Sequence, residues 1–213
     1  MAEQLSVLLV DDHPIVRAGC RKLLESELKA AVIEAEDAEN AYRLFVAERP
    51  GVVVLDLTLP GAGGLAVLER MRAWDPGARV VVFSMHEEAV FAARALKAGA
   101  IGYVPKSRPP QELVEAVRQA ARGEPYLAHG IAQKLALTRL VERGGDPLGA
   151  LSARELEIIR MLAEGRSAVQ IAALLCLSYK TVVNAITALK AKLGAASNGE
   201  LVRIALQHGI ISG

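Results

Sequence analysis

Five short apolar runs punctuate the first part of the chain: Leu5–Val10, Ala31–Ala35, Val52–Leu55, Arg79–Phe83 and Ile101–Val104. Runs of this length, rich in valine and bounded by turn residues, predict strands buried on both faces. Between them the apolar positions recur three and four residues apart, which is the helical period. Pro14 opens a first helix carrying Ile15, Val16, Cys20, Leu23 and Leu24, and Asp37 caps a second over Ala38–Glu48. Further helices are expected over Leu65–Trp74, Glu88–Ala98 and Gln111–Arg122, the last two stopped by Gly99 and Gly123. Strict alternation of strand and helix predicts an α/β fold, a doubly wound five-stranded parallel sheet.

Beyond residue 122 the strand pattern stops. Residues 123–148 form a connector with an expected helix over Ile131–Val141, followed by the turn-forming stretch Gly144-Gly145-Asp146-Pro147, which reads as a hinge. Residues 149–213 read as a small all-α unit. Ser152 and Glu155 form a capping box ahead of a helix burying Leu156, Ile159, Met161 and Leu162. Ser167 caps a short second helix and Ser178 a longer third that ends at Leu193-Gly194; a last helix runs through Leu201, Ile204, Ala205 and Leu206. A short helix, a tight turn and a longer helix predict a helix-turn-helix, in which the later helix enters a DNA groove.

The ends of the predicted strands carry the chemistry. Asp11 and Asp12 follow the first, Asp56 the third, Ser84 the fourth and Lys106 the fifth. A parallel sheet places all of them on one edge, where ligands bind in open α/β sheets. Carboxylates brought together raise one another's pKa unless a cation neutralises them, and a hard divalent ion such as Mg²⁺ suits an all-oxygen set. The Ser84 hydroxyl and the Lys106 ammonium suit the oxygens of a phosphoryl group. The implied chemistry is phosphoryl transfer to a carboxylate. Phosphatases of the haloacid-dehalogenase type also end a strand in a nucleophilic Asp, but they need a second Asp two residues on. Thr58 stands there, so the general acid of that hydrolysis is missing. Asp56 reads as a switch rather than part of an enzyme.

Val10-Asp11-Asp12-His13, Leu55-Asp56-Leu57-Thr58-Leu59-Pro60, Phe83-Ser84 and Gly102-Tyr103-Val104-Pro105-Lys106 resemble the motifs of the flavodoxin-like receiver domain of two-component response regulators. The resemblance covers residues 1–122. It implies phosphorylation of Asp56 by a sensor histidine kinase, with Mg²⁺ held by Asp11, Asp12, Asp56 and the Thr58 backbone carbonyl. It further implies that Ser84 and Lys106 contact the phosphoryl group and that Tyr103 is an aromatic switch. The second unit resembles the LuxR-type helix-turn-helix of the NarL/FixJ family through Leu151-Ser152-Ala153-Arg154-Glu155, Gln170-Ile171-Ala172, Lys180-Thr181-Val182 and Lys192-Leu193-Gly194. That implies a transcription regulator that binds promoter DNA as a homodimer, with contacts from Lys180, Thr181, Val183, Asn184, Thr187, Lys190 and Lys192. Val183, Ala185 and Ala188 replace the Lys, His or Arg common in relatives. The alternative is therefore a degenerate helix-turn-helix that works through protein contact.

Composition narrows this further. The chain carries 25 Lys and Arg against 24 Asp and Glu, so no global charge drives it to nucleic acid or membrane. Residues 149–213 alone hold seven basic and four acidic residues, a net of +3 that suits a nucleic-acid module. Cys20 and Cys176 read as structural thiols of a reducing, cytoplasmic protein, and no stretch predicts a signal peptide or membrane helix. The histidines (His13, His86, His129, His208) show no metal-ligand spacing, so a metal site is expected from carboxylates alone.

Overall fold

The computed structural model describes residues 4–59, 63–141, 148, 151–208 and 210–211. Pro60 and Gly61 of the turn after the third strand, and the expected hinge at Gly144–Pro147, lie outside them. The chain divides into two compact units, with the boundary inside a helix after Gln133.

The first unit runs β1 (Ser6–Val10), α1 (Pro14–Leu28), β2 (Ala31–Ala35), α2 (Ala38–Glu48), β3 (Val52–Leu55), α3 (Gly64–Trp74), β4 (Val80–Ser84), α4 (Ala89–Lys97), β5 (Gly102–Pro105), α5 (Pro110–Ala121) and β6 (Tyr126–Leu127). The sheet is parallel throughout, in the order β2-β1-β3-β4-β5-β6. Five strands were expected; the sixth carries the sheet past the expected boundary at residue 122. Two residues give no readable period, and β6 exists because Tyr126 and Leu127 find partners in Gly102 and Tyr103. Gly102 makes room for it, since a Cβ there would lie 3.1 Å from the Tyr126 carbonyl oxygen.

All four residues of β3 and all five of β4 are buried, as strands covered on both faces must be. Alternate positions point to opposite faces. Val7, Leu9, Val52, Val54, Val81 and Phe83 meet Cys20 and Leu24 of α1 and Leu113, Ala116, Val117 and Ala120 of α5 in one core layer. On the other face α2 and α3 pack together, Ala41, Phe45, Val67, Leu68 and Met71 being buried. Asp37 caps α2 as expected, its carboxylate accepting the Asn40 N–H at 2.8 Å.

The connector helix α6 (His129–Val141) begins two residues before its expected start; Ile131 is buried and Leu135 half-buried, while the side chains of Leu137 and Leu140 lie outside the described residues. The second unit contains α7 (Ala153–Ala163), α8 (Ala168–Leu174), α9 (Tyr179–Leu193) and α10 (Asn198–Gln207). Each of the four starts at a serine whose hydroxyl accepts a backbone N–H three residues on: Ser152, Ser167, Ser178 and Ser197. The expected capping box of Ser152 and Glu155 is present, and Ser167 with Gln170 makes a second. Leu156, Ile158 and Ile159 of α7, Ile171 of α8, Val182, Ile186 and Leu189 of α9 and Leu201 and Ala205 of α10 make the core. Met161 and Leu162, expected inside, are only half-buried, while Ile158 is buried.

Cys176 also departs from expectation. It is exposed, with φ 52° in the turn between α8 and α9. The chain wraps the end of α8 there, the Leu177 N–H reaching the Ala172 carbonyl at 2.9 Å, and this throws the thiol outward. Cys20 is buried as expected. No single helix among the described residues is long and apolar enough to cross a membrane.

Candidate functional site

Register builds the site. Val10 pairs with Leu55, so the residues that follow, Asp11 and Asp56, emerge side by side at the carboxyl edge of the sheet. The ladder continues into both: the Asp56 N–H reaches the Val10 carbonyl at 2.9 Å, and the Asp11 N–H reaches the Ala35 carbonyl at 3.1 Å. Ser84 pairs with Pro105, and the Lys106 N–H donates to the Ser84 carbonyl at 2.7 Å, which closes the other side. The structure thus brings Asp11, Asp56, Ser84 and Lys106 to one edge.

At its centre the Lys106 ammonium lies 2.7 Å from Asp56 Oδ2 and 2.6 Å from Asp11 Oδ2, each of these side chains at most 5% exposed. The other Asp56 oxygen, Oδ1, accepts the Thr58 N–H at 3.0 Å. Burial lifts the Asp56 carboxyl above its ordinary pKa; Lys106 and the Thr58 N–H offset only part of this, and Asp11 adds to it. For Lys106 burial works against the ammonium, but the carboxylates of Asp56 and Asp11 outweigh it and hold the pKa above the usual lysine value. One ammonium serves two buried carboxylates, so the cluster is short of positive charge.

The backbone of the loop after β3 folds under Asp56. The Gly64 N–H bonds the Leu57 carbonyl at 2.9 Å, and a Cβ on Gly64 would stand 2.0 Å from the Asp56 carbonyl oxygen. Only glycine fits that approach. On the far side Ser84 is fully buried and its Oγ accepts the His86 N–H at 3.3 Å. Tyr103 is turned inward and wholly buried; its hydroxyl donates to the His86 carbonyl at 2.9 Å. The His86 ring stacks on Phe91, centroids 3.9 Å apart.

Asp12 is half-buried and completes the acidic set with Asp11 and Asp56. Hard oxygen donors of this number fit Mg²⁺, and the excess of negative charge that Lys106 leaves gives a cation an electrostatic reason to bind. The expectation was of carboxylates alone, and the structure also places the His13 imidazole beside them. Its Nδ1 lies 2.7 Å from Asp12 Oδ1 and 3.4 Å from Asp11 Oδ1. Spacing between histidines could not reveal it. The usable signal was adjacency: a histidine following two strand-end aspartates must start the next helix beside them.

Comparison with known proteins agrees with this geometry. Residues 7–118 match the response regulator receiver domain, and residues 149–205 match the bacterial regulatory proteins of the luxR family. The transcriptional activator protein ExaE of Pseudomonas putida is 39% identical over 97% of this chain and 98% of its own length. The response regulator UvrY of Escherichia coli K12 is 36% identical over 97% and 95%. Among solved structures, a LuxR-family two-component response regulator from Aurantimonas is 46% identical, with a TM-score of 0.62 over 65% of this chain and 99% of that one. The RcsB response regulator in complex with DNA is 26% identical, with a TM-score of 0.60 over 97% and 99%.

The chain belongs to the NarL/FixJ response regulators.

Its output unit is therefore a LuxR-type DNA-binding module, and α9 is the longer, later helix of its helix-turn-helix. Val182, Ile186 and Leu189 are buried, as their spacing predicts, while Leu193 is half-buried. Lys180, Thr181, Asn184 and Thr187 are exposed, and Val183 and Lys190 half-buried. Thr181 has a structural duty as well, its N–H bonding Ser178 Oγ at 3.0 Å at the start of the helix. Thr187 Oγ1 donates back to the Val183 carbonyl at 3.0 Å. Lys192 differs most from expectation: its ammonium lies 2.8 Å from Glu155. The glutamate of the α7 capping box thus holds a cation at the end of α9, and the expected DNA contact of Lys192 has a competitor inside the protein.

Proposed function

We propose that Asp56 is the phosphoacceptor of this response regulator and that a sensor histidine kinase supplies the phosphoryl group. The observation that carries this is the Lys106 ammonium 2.7 Å from Asp56 Oδ2, on a carboxylate buried at the sheet edge. A carboxylate oxygen of Asp56 would form the new P–O bond as the P–N bond of a phosphohistidine breaks, and the leaving imidazole would take up a proton. Lys106 and Ser84 would then bond the phosphoryl oxygens. Mg²⁺, held by Asp11, Asp12, Asp56 and the Thr58 carbonyl, would neutralise charge on the transferring group. Ile15 and Met85 support approach of a kinase surface, since both are exposed and line a cleft of about 570 Å³ beside Lys106.

Phosphorylation would shift the population toward homodimers that bind promoter DNA, with Tyr103 moving as Ser84 engages the phosphoryl group. Lys180, Thr181, Lys190 and Lys192 would contact phosphates, while Val183, Asn184 and Thr187 would face the bases. On α10 Leu206 stays exposed while Leu201 and Ala205 are inside, leaving an apolar position for a second copy. The proposed bounds are residues 1–122 for the receiver, 123–148 for the connector and 149–213 for the output domain.

A small-molecule phosphodonor with Mg²⁺ should add one phosphoryl mass to the wild type and none to Asp56→Asn. Promoter DNA should bind the phosphorylated protein more tightly than Asp56→Asn, and equal affinity would overturn the reading. The engagement of Lys192 by Glu155 favours one second reading, output through protein contact. DNA affinity that does not change with salt would support it.

A further inference from the structure

One donor at the carboxylate cluster has no part in the phosphoryl reading: the imidazole of His13. His13 stands at the N-cap of α1, but its side chain makes no capping bond there. The imidazole turns instead to the acidic residues, and 59% of it remains exposed. One ligand atom each from Asp11, Asp12, His13 and Asp56 can be chosen so that all lie within 4.8 Å of one another. Donors around a single octahedral ion with bonds of about 2.1 Å span roughly 3–4.2 Å, so small side-chain movements suffice. Asp11, at 1% exposure, is fixed in place. His13 and Asp12 are the members that can adjust.

Three carboxylates and an imidazole are no longer a purely hard set. Mg²⁺ gains little from the nitrogen, whereas imidazole suits the later first-row divalent ions, whose affinities rise from Mn²⁺ through Ni²⁺. We propose that His13 is a fourth protein ligand of this site and that it lets a nitrogen-preferring divalent transition ion compete with Mg²⁺. The inference rests on the reading of Asp11, Asp12 and Asp56 as a metal site and goes beyond it. Nδ1, the ring atom turned to Asp12, would bind the ion through its lone pair while Nε2 carries the ring hydrogen. Such an ion keeps one water position fewer than Mg²⁺ for phosphoryl oxygens. The regulator would then accept phosphate less readily when transition ions are abundant.

Calorimetric titration of the full chain, free of any polyhistidine tag, tests this with MgCl₂ and NiCl₂ as the probes. Ni²⁺ should bind the wild type at least ~100-fold more tightly than Mg²⁺. His13→Ala should weaken Ni²⁺ binding by about 10–100-fold and change Mg²⁺ binding by less than about threefold. His13→Gln, which keeps a polar side chain at the N-cap, should behave as His13→Ala does. Unchanged Ni²⁺ affinity in both variants, or equal losses for the two ions, would overturn the proposal. Asp12→Asn separates the two readings. It should weaken both ions, and if Mg²⁺ binding survives it unchanged, the carboxylate site fails too. If only the His13 variants behave contrary to expectation, the carboxylate site stands and the fourth ligand is refuted.

Discussion

Lys106→Met isolates the electrostatics of the receiver, because it removes the one cation shared by two buried carboxylates at 2.6 and 2.7 Å. Methionine keeps most of the side-chain volume, so the effect reads charge rather than packing. Removing one partner of a buried pair costs about 3–5 kcal/mol, since it strands an uncompensated charge. A ceiling comes from the alternative open to the protein, which is to bind a proton. Holding a carboxyl protonated at pH 7.5 against an ordinary pKa near 3.9 costs about 5 kcal/mol. The expected loss in EDTA at pH 7.5 is therefore about 3–5 kcal/mol, and with a urea dependence of about 1.5–2 kcal/mol per molar the midpoint should fall by roughly 2 M. Trp74, the only tryptophan, stands edge-on to Phe45 at 5.6 Å within the receiver and reports its unfolding by fluorescence. The sign with pH is fixed. Burial holds the folded pKa of Asp56 above its unfolded one, so the deficit is full well above that value and shrinks as the solution is acidified from pH 7.5 to 5.5. Mg²⁺ should stabilise Lys106→Met more than the wild type, and the double variant with Asp56→Asn should recover at least half the loss. A deficit under about 1 kcal/mol, or no recovery in the double variant, would refute this account.

Three further outcomes follow from other contacts. Gly64→Ala should destabilise the receiver by about 1–3 kcal/mol in urea unfolding and slow acceptance of phosphate from a small donor, because its Cβ would stand 2.0 Å from the Asp56 carbonyl oxygen. In native protein at pH 8 a thiol reagent should modify Cys176 alone, since burial pushes the Cys20 thiol up to about 11; after denaturation both should react. For Glu155, burial pushes the carboxyl up, but its bonds to Lys192 and to Ser152 outweigh that and hold it below its ordinary value of 4.5. A lowered folded pKa contributes stability above the unfolded value and loses it as pH falls through the folded one. The stability advantage of wild type over Glu155→Gln at pH 6 should therefore shrink as the solution is acidified through and below 4.5, as measured by thermal melting.

The elements of both units were legible because short continuous apolar runs mark the strands of the first and a period near 3.6 marks the helices of both. The receiver site was legible for a topological reason: in a parallel sheet every strand ends on the same edge, so strand-end residues meet without knowledge of their contacts. What escaped were features set by the path of single residues. β6 is too short to have a period. Cys176 sits in a wrapped helix end whose direction no spacing encodes, and the engagement of Lys192 joins residues on two helices whose packing the helical period leaves open. His13 escaped because the spacing between histidines carries no information about a histidine whose partners are the neighbouring carboxylates.

The serines that begin all four helices of the output unit bear on the order in which the molecule folds. Each cap is made within four consecutive residues, so the start of every helix is decided before any distant part of the chain arrives. The receiver sheet has no such shortcut: joining β1 to β3 must close a loop of the order spanned by the bond between Ser6 and Gly51, 45 residues apart. Local contacts form fast and parallel pairings slowly. On refolding from denaturant the helices of the output unit should therefore regain protection before the central strands of the receiver. The half of the molecule that reads DNA would be formed before the half that governs it.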